Sequence, residues 1–294
     1  MPHRAASEGR YEGPMGENAR KETTGFEVLA HGIFPRSAVS VEYRPGCPRR
    51  EPPAEALIDH AWQTYLRTSF DAGITVYNGA LFRLDGFRLT GGRLRLMLSD
   101  ADFRSCIGTA SVEFTSAFPD LPRANPLTVS AVLATTDGKI VVEKRSRVDS
   151  RRRAYHVIAG YMERGRDGRQ PHPFDALMRE VREELGVELD RARLFATGLV
   201  RTIYGSELCF RGDVALSFDD LLKMQAGPAT DSEIETLQAL HDSPPAVAGF
   251  LAAHPTDLVP SGRACLLLYG REAYGEGWYN AEAEKMKSTF GLRC

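Results

Sequence analysis

Alternation of apolar and polar positions marks the first third of the chain and predicts short β-strands. The predicted strands cover residues 26–34, 38–43, 80–90 and 92–99. Between them the apolar period lengthens over 54–70, which predicts a helix with a broad apolar face. Turns are predicted at Asp85-Gly86 and Gly91-Gly92, and a short helix or ordered loop over 100–110. This part of the chain is therefore expected to mix strands and helices.

The second part of the chain opens on a strong β-hairpin pattern with its turn at Asp137-Gly138. A strand and a glycine-containing loop follow, and a helix is predicted to begin at Pro173 and stop at Gly186. One face of this helix carries an apolar stripe of Phe174, Leu177, Met178, Val181 and Leu185. Further strands are predicted over 193–204 and 207–217, and further helices over 241–254 and 263–275.

This alternation of elements predicts the α/β (α+β) class, with strands and helices packed as a sandwich. The chain is expected to divide into a flexible polar tail at 1–24, an N-terminal α+β region at 25–125 and a second domain at 126–294. Residues 115–126 contain three prolines and are predicted to link the two units.

Composition narrows the classes of partner. The 294 residues are 43% apolar and 26% charged with a net charge of −2, so no global field favours nucleic acid or an anionic membrane. Apolar runs stay short of the ~20 residues that span a bilayer. The five cysteines are scattered without metal-ligand spacing, which predicts a reducing cytoplasm. A small-molecule substrate is the expected partner.

Three glutamates, Glu180, Glu183 and Glu184, crowd the end of the helix that begins at Pro173, in the sequence REVREELG. Like charges three or four residues apart on a helix destabilise it by about 0.2–0.5 kcal/mol per pair. The C-terminal end of a helix also disfavours acids because of the helix dipole. A divalent ion that prefers oxygen ligands, such as Mg²⁺ or Mn²⁺, would remove both costs. The alternative is a solvated face whose charges Arg179 and Arg182 soften.

The run REVREELGV, residues 179–187, resembles the second half of the Nudix hydrolase signature. AGYMERGR resembles the first half, with Gly160 in the glycine position, and the order of hairpin, strand, loop and helix is also similar. The resemblance implies a Nudix-type α/β/α sandwich with an added N-terminal strand-and-helix region. It also implies hydrolysis of a diphosphate bond with bound Mg²⁺, or Mn²⁺ in its place.

Two departures from the signature concern its first half. Its first glutamate would fall at Arg166, which cannot replace a carboxylate, and the loop from there to Arg179 is longer than in the signature. In the family that glutamate helps to hold the loop and pairs with the arginine. Glu163, Asp167 or Asp175 are the candidates to take over this part, and the sequence does not choose between them.

A looser resemblance extends over roughly residues 40–270. FRLDGFRLT, LRLMLSDADFRSCIGT and the KRSR run at 144–147 look like the mammalian-type UDP-glucose/UDP-galactose Nudix hydrolases. This implies conversion of a UDP-hexose to UMP and hexose 1-phosphate. The alternatives are another nucleoside diphosphate derivative (ADP-ribose, a dinucleotide or coenzyme A), a damaged nucleoside triphosphate, or a Nudix-fold module that binds nucleotide without hydrolysis.

The family resemblance assigns roles to the residues around the metal. Glu180 and Glu184 are expected to be direct ligands, Glu183 to bind the metal or its water, and the carbonyl of Ala159 to be a further ligand. One of the glutamates could act as the base. Arg179 is expected to orient a glutamate through a charge-assisted hydrogen bond.

Four residues outside the signature are candidates for substrate contacts. Arg145 and Arg147 could clamp phosphates, or they could be solvated loop charge. Glu233 could supply a further acid from a later loop, against an ordinary charged loop residue. Tyr155 could stack on a base, against a core or rim aromatic.

Overall fold

The computed structural model describes residues 25–145, 154–165, 171–225 and 234–290. The strands are β1 (Glu27–Phe34), β2 (Val39–Tyr43), β3 (Ala80–Thr90), β4 (Arg93–Asp102), β5 (Leu127–Ala134), β6 (Lys139–Arg145), β7 (Tyr155–His156), β8 (Ile158–Tyr161), β9 (Phe195–Thr202), β10 (Gly205–Asp213) and β11 (Ile234–His241). The helices are α1 (Pro52–Asp71), α2 (Phe103–Ala110), α3 (Val112–Ala117), α4 (Pro173–Leu185), α5 (Phe218–Gln225), α6 (Pro244–Ala253), α7 (Pro260–Tyr274) and α8 (Glu276–Phe290). The predicted α/β class is confirmed.

The larger sheet has the strand order β1-β9-β10-β5-β6-β11. Strands β5 and β10 run parallel, and the other neighbours pair antiparallel. The hairpin strands β5 and β6 pair only next to their turn, at Ala134 and Ile140, and then separate. Short strands fill the opening, with β8 on β5 and β7 on β6. The sheet is therefore split where β8 enters.

Helices cover both faces of this sheet. The stripe on α4 is buried as predicted, with Val181 and its apolar neighbours in the core on one face. The opposite face packs against α7, which is buried along most of its length. Helix α4 begins at Pro173 and ends at Gly186, whose φ of 69° is left-handed. This layering is the expected α/β/α sandwich. No helix in the described part of the chain is long and apolar enough to cross a membrane.

The smaller sheet has the order β2-β4-β3 and contacts helix α2 through β4, and α2 in turn packs against α1 and α3. The predicted turn at Asp85-Gly86 is wrong: β3 continues through it, with a register shift between Leu84 and Gly86. A pairing strand runs along the whole of β3, so the glycine is used for a bulge and not for a reversal. The chain reverses instead at Gly91-Gly92, where both residues have positive φ.

Strand β1 belongs to the expected N-terminal region at 25–125 but pairs outside it. It pairs antiparallel with β9, from Glu27 opposite Arg201 to Phe34 opposite Ala196, and so belongs to the larger sheet. The remainder of the N-terminal region, from β2 to α3, forms a smaller unit around its own sheet, and this sheet shares one apolar core with α4 and β5. The sequence pattern did not predict α3, α5, α8 or β11.

Candidate functional site

A cleft of about 1600 Å³ lies between the smaller unit and the split in the larger sheet. Helices α1 and α2 form one wall, and residues of α4, β5, β8, β10 and α7 form the other. The predicted site residues in its lining are Arg145, Ala159, Gly160, Glu180, Glu183 and Glu184. The cleft therefore brings together the glycine loop and the acidic turn, which lie about twenty residues apart in the chain.

The acidic turn of α4, which comprises Glu180, Glu183 and Glu184, faces this cleft because the apolar stripe holds the opposite side of the helix in the core. The side chain of Glu183 is mostly exposed, whereas the side chain of Glu180 is only 14% exposed. The turn immediately precedes the helix end at Gly186. Three carboxylates thus share one wall of a partly enclosed space, where their charges are less screened than on an open surface.

Gly160 makes room for the Glu180 carboxylate. A Cβ at position 160 would overlap Cγ, Cδ and Oε2 of Glu180, so any larger residue would displace the carboxylate. Burial raises the pKa of Glu180, and the hydrogen bond and charge of Arg179 oppose this rise. The glycine therefore brings a desolvated carboxylate directly against the backbone of β8.

Arg179 holds the acidic turn to the loop after β8. Its guanidinium donates to Glu180 Oε1 and to the carbonyl oxygen of Tyr161, the latter at 3.2 Å. It also lies 3.7 Å from Glu183 Oε2 and 3.8 Å from Glu163 Oε2. This geometry is the one that an orienting arginine requires.

The candidates to replace the first glutamate of the signature differ in their surroundings. Glu163 faces Arg179, whereas Asp175 is ion-paired with Arg36 at 2.7 Å. Asp167 and Arg166 lie outside the described residues. Among the described candidates, only Glu163 has the contact with Arg179 that the signature glutamate would make.

The acidic turn is the candidate position for a divalent metal. Within the described ranges, no three His, Cys, Asp or Glu side chains are grouped closely enough to hold an ion. The donors themselves suit Mg²⁺ or Mn²⁺, because they are carboxylate oxygens beside a strand backbone that includes Ala159. The space at Gly160 lets a carboxylate and that backbone approach each other. The residues thus fit such an ion by chemistry, and Arg179 donates a hydrogen bond to the Glu180 carboxylate.

The four predicted substrate-contact residues have different outcomes. Arg145 lines the cleft, with its Nε 3.6 Å from Glu143 Oε1. Arg147 and Glu233 lie outside the described residues. Tyr155 does not line the cleft and instead packs against Phe250 and His254 with ring centroids 5.5 and 4.4 Å away. The structure favours the alternative of a core or rim aromatic for Tyr155, because β7 turns this ring toward helix α6.

An aromatic wall, defined here as Tyr65, Phe103 and Tyr161, lines the cleft and was not predicted from the sequence. Phe103 lies between the other two rings, with centroids 5.8 Å from each. Tyr161 directly follows Gly160, whose backbone lies against the acidic turn, so the aromatic wall begins one residue away from that contact. Aromatic faces of this kind accept planar rings by stacking.

Glu207 is a second residue that the sequence reading missed. It lies on β10 in the cleft lining and is only 6% exposed. Thr128 donates to its Oε2 at 3.1 Å, whereas Oε1 accepts no hydrogen bond from the residues that the structure describes. The available signal was an acid inside the largely apolar strand sequence GSELCF.

Comparisons with known proteins give weak similarities to solved structures. No protein-family model matches the chain, and no curated protein sequence matches it. A NUDIX hydrolase from Nitrosomonas europaea is 19% identical, over 50% of this chain and 90% of its own, with a TM-score of 0.36. The MutT protein from Methanosarcina mazei Go1 is 14% identical, over 50% and 94%, with a TM-score of 0.33.

A bifunctional NMN adenylyltransferase/ADP ribose pyrophosphatase from Francisella tularensis is also similar. It is 12% identical over 55% of this chain and 46% of its own, with a TM-score of 0.34. That structure is a complex with AMP and a manganese ion. Similarities at this level do not assign the chain to a family, so the functional argument rests on the site itself.

Proposed function

We propose that the protein is a divalent-metal-dependent hydrolase that cleaves the diphosphate bond of a nucleotide derivative. The observation that carries this proposal is the meeting of the acidic turn with Gly160 on one cleft, where Glu180 is pressed against the strand backbone. Such a group of carboxylates is costly without a cation. The resemblance of REVREELGV to the Nudix signature supports the same chemistry.

Each residue of the site has a role in this proposal. Glu180 and Glu184 would hold the ion, with Glu183 on the ion or its water and the carbonyl of Ala159 as a further ligand. A bound Mg²⁺ or Mn²⁺ supplies charge neutralisation and a more acidic water. Arg179 fixes the Glu180 carboxylate through its hydrogen bond, and its additional contact with the Tyr161 carbonyl fixes the arginine. The base remains one of the glutamates of the turn.

Arg145 is the described residue best placed to bind a phosphate. It lies in the cleft wall with 23% of its side chain exposed, so the guanidinium reaches the cleft without being free in solvent. A guanidinium forms bidentate hydrogen bonds with phosphate oxygens. Its approach to Glu143 orients it for this contact.

The substrate class that we propose is a nucleotide sugar, UDP-glucose or UDP-galactose, with UMP and hexose 1-phosphate as products. The aromatic wall offers a stacking surface for the base beside the acidic turn. The looser resemblance to UDP-hexose hydrolases includes Phe103 of this wall. ADP-ribose, dinucleotides and coenzyme A are the competing substrates within the same reaction class.

Product analysis tests the proposal. Incubation with UDP-glucose and Mg²⁺ should release UMP, and Glu180→Gln should reduce the rate by at least 100-fold. Asp175→Asn is the matched control, since Asp175 is an acid on the same helix that pairs with Arg36 outside the cleft. Absence of UMP above the Glu180→Gln background would reject the UDP-sugar assignment. Ranking kcat/KM over the competing substrates would then identify the substrate.

A nucleotide-binding module without hydrolysis is the second candidate. Two observations favour it: the signature glutamate is replaced at Arg166, and the described residues contain no ready metal cluster. Nucleotide binding that raises the melting temperature, with no turnover in Mg²⁺ or Mn²⁺, would support this reading.

The buried thiols of Cys106, Cys209 and Cys265 form no disulfide bonds, which agrees with the proposed cytoplasmic setting.

A further inference from the structure

Glu207 is a buried acid in the cleft for which the proposed hydrolysis has no use. Its side chain lies on β10 beneath the cleft floor, and one carboxylate oxygen is satisfied by Thr128 at 3.1 Å. The other oxygen, Oε1, has no hydrogen-bond donor within the described part of the chain. A buried acceptor left in this state destabilises the fold. The residue is therefore better explained by a ligand than by stability.

The groups around Glu207 are mainly hydroxyls. Burial raises the pKa of Glu207, while the hydroxyls of Ser130, Ser261 and Thr128 and the charge of Arg145 oppose the rise. Ser130 and Ser261 lie near the carboxylate but make no hydrogen bond with Oε1. Ser261 instead pairs with His156 at 3.2 Å. The open acceptor thus belongs to a polar part of the cleft, where its described neighbours are hydroxyls and the guanidinium of Arg145.

Strand register places Glu207 relative to the rest of the cleft. Glu207 is opposite Thr128, and Thr128 is opposite Tyr161, so the three side chains lie on the same face of the sheet. Two strand spacings, about 10 Å, separate Glu207 from Tyr161 at the Cα atoms. Gly160 precedes Tyr161 and points to the opposite face of β8, where it contacts Glu180. Glu207 and the acidic turn thus line one cleft from opposite faces of the sheet, and a ligand that spans the cleft from the acidic turn can reach Oε1.

We propose that Glu207 determines specificity for a polyhydroxylated group, such as a hexose, joined to the diphosphate. This inference rests on the proposed function. A carboxylate oxygen accepts hydrogen bonds from hydroxyls, and the flanking hydroxyls of Thr128 and Ser261 complete a surface for further sugar oxygens. The same negative charge repels an additional phosphate. Glu207 thus favours nucleotide sugars over triphosphates and dinucleotides.

The test compares UDP-glucose with methyl-UDP, a probe that keeps the uridine diphosphate but carries no sugar hydroxyls. The wild type should prefer UDP-glucose, and Glu207→Gln should reduce that preference in kcat/KM by about tenfold or more, mainly through KM. Glu207→Asp provides a second variant, in which the shorter side chain keeps the carboxylate but moves it away from the ligand. The matched control is Glu282→Gln, a buried acid on α8 that pairs with Lys285 at 2.6 Å.

Binding measured by titration calorimetry in EDTA separates this inference from the proposed function. Tighter binding of UDP-glucose than of methyl-UDP, lost in both Glu207 variants and kept in Glu282→Gln, supports the sugar subsite even if no UMP is ever released. Equal binding of the two probes to the wild type, or no binding of either, overturns it. An unchanged preference in folded Glu207→Gln overturns it as well.

Discussion

Replacing Gly160 with alanine would put a methyl group where the Glu180 carboxylate now lies. The backbone at Gly160 does not have the positive φ that would make alanine itself strained, since it forms part of β8. The overlap involves only the outer atoms of a side chain, which can rotate away. We therefore expect a folded protein in which Glu180 has left its place beside β8.

The expected cost to folding is small. Moving Glu180 breaks its charge-assisted hydrogen bond with Arg179, which is worth about 1.5–3 kcal/mol. The displaced carboxylate regains water, and this offsets part of the loss because burial raises its pKa in the native protein. The free energy of unfolding should then fall by about 1–2 kcal/mol, or roughly 2–8 °C in melting temperature for a chain of this size.

The expected cost to turnover is much larger. Glu180 is a proposed metal ligand, and a displacement of about 1 Å at a reacting centre can lower the rate 100-fold. UMP release from UDP-glucose should therefore fall at least 100-fold in Gly160→Ala. Guanidinium unfolding of the same preparation gives the stability, so both quantities come from one sample.

Two other glycines serve as controls. A Cβ at Gly249 of α6 meets nothing within 4 Å, so Gly249→Ala should keep activity and gain about 0.5–1 kcal/mol. A Cβ at Gly108 would lie 2.7 Å from the Cα of Ile58, so Gly108→Ala must move α1 from α2 and lose stability. If Gly160→Ala keeps wild-type turnover, or behaves like Gly108→Ala, the reasoning about Glu180 is refuted.

Three further predictions follow from the described contacts. Glu184→Gln should cut turnover by orders of magnitude with little change in melting temperature. Val181→Asp should instead unfold the protein, because it buries an unpaired charge in the core. A folded, inactive Val181→Asp would show that the two faces of the helix are assigned the wrong way round. Burial raises the pKa of Glu207, so ionisation of Glu207 opposes folding as pH rises. The melting temperature of Glu207→Gln minus that of the wild type should therefore be larger at pH 8 than at pH 5. A constant or falling difference would contradict the raised pKa. Tyr161→Leu should raise KM for UDP-glucose several-fold with a smaller effect on kcat, and an unchanged KM would remove the ring from base binding.

Periodicity predicted the elements that bury one face, and these predictions are largely confirmed. The stripe through Val181 and the stop at Gly186 are local features, since each depends on residues within a few positions in the chain. Asp85-Gly86 shows the limit of such signals. The same dipeptide suits a turn or a bulge, and the partner strand β4, which decides between them, lies outside the local sequence.

The parts of the site that escaped prediction depend on pairing between distant strands. Glu207 faces the cleft because β10 runs parallel to β5, and Tyr161 lies in the same row because β8 pairs with β5 on the other side. The sequence pattern indicates strands but not their partners. For the same reason the sequence left two interpretations of Tyr155 open, since its surroundings come from helix α6, nearly a hundred residues later.

The chain enters the smaller unit from β1 and leaves it into β5, and both of these strands belong to the larger sheet. The two attachment points lie three strands apart, and the strand registers also offset them along the strand direction, since Phe34 is level with Ala131 and not with Leu127. Two backbone connections alone would leave one axis of rotation, the line that joins them. The smaller sheet is also buried in one apolar core with α4 and β5, for example through Leu96 and Val181. A swing of the smaller unit would expose that shared core to water, so we expect the two walls of the cleft to keep their separation while a ligand enters.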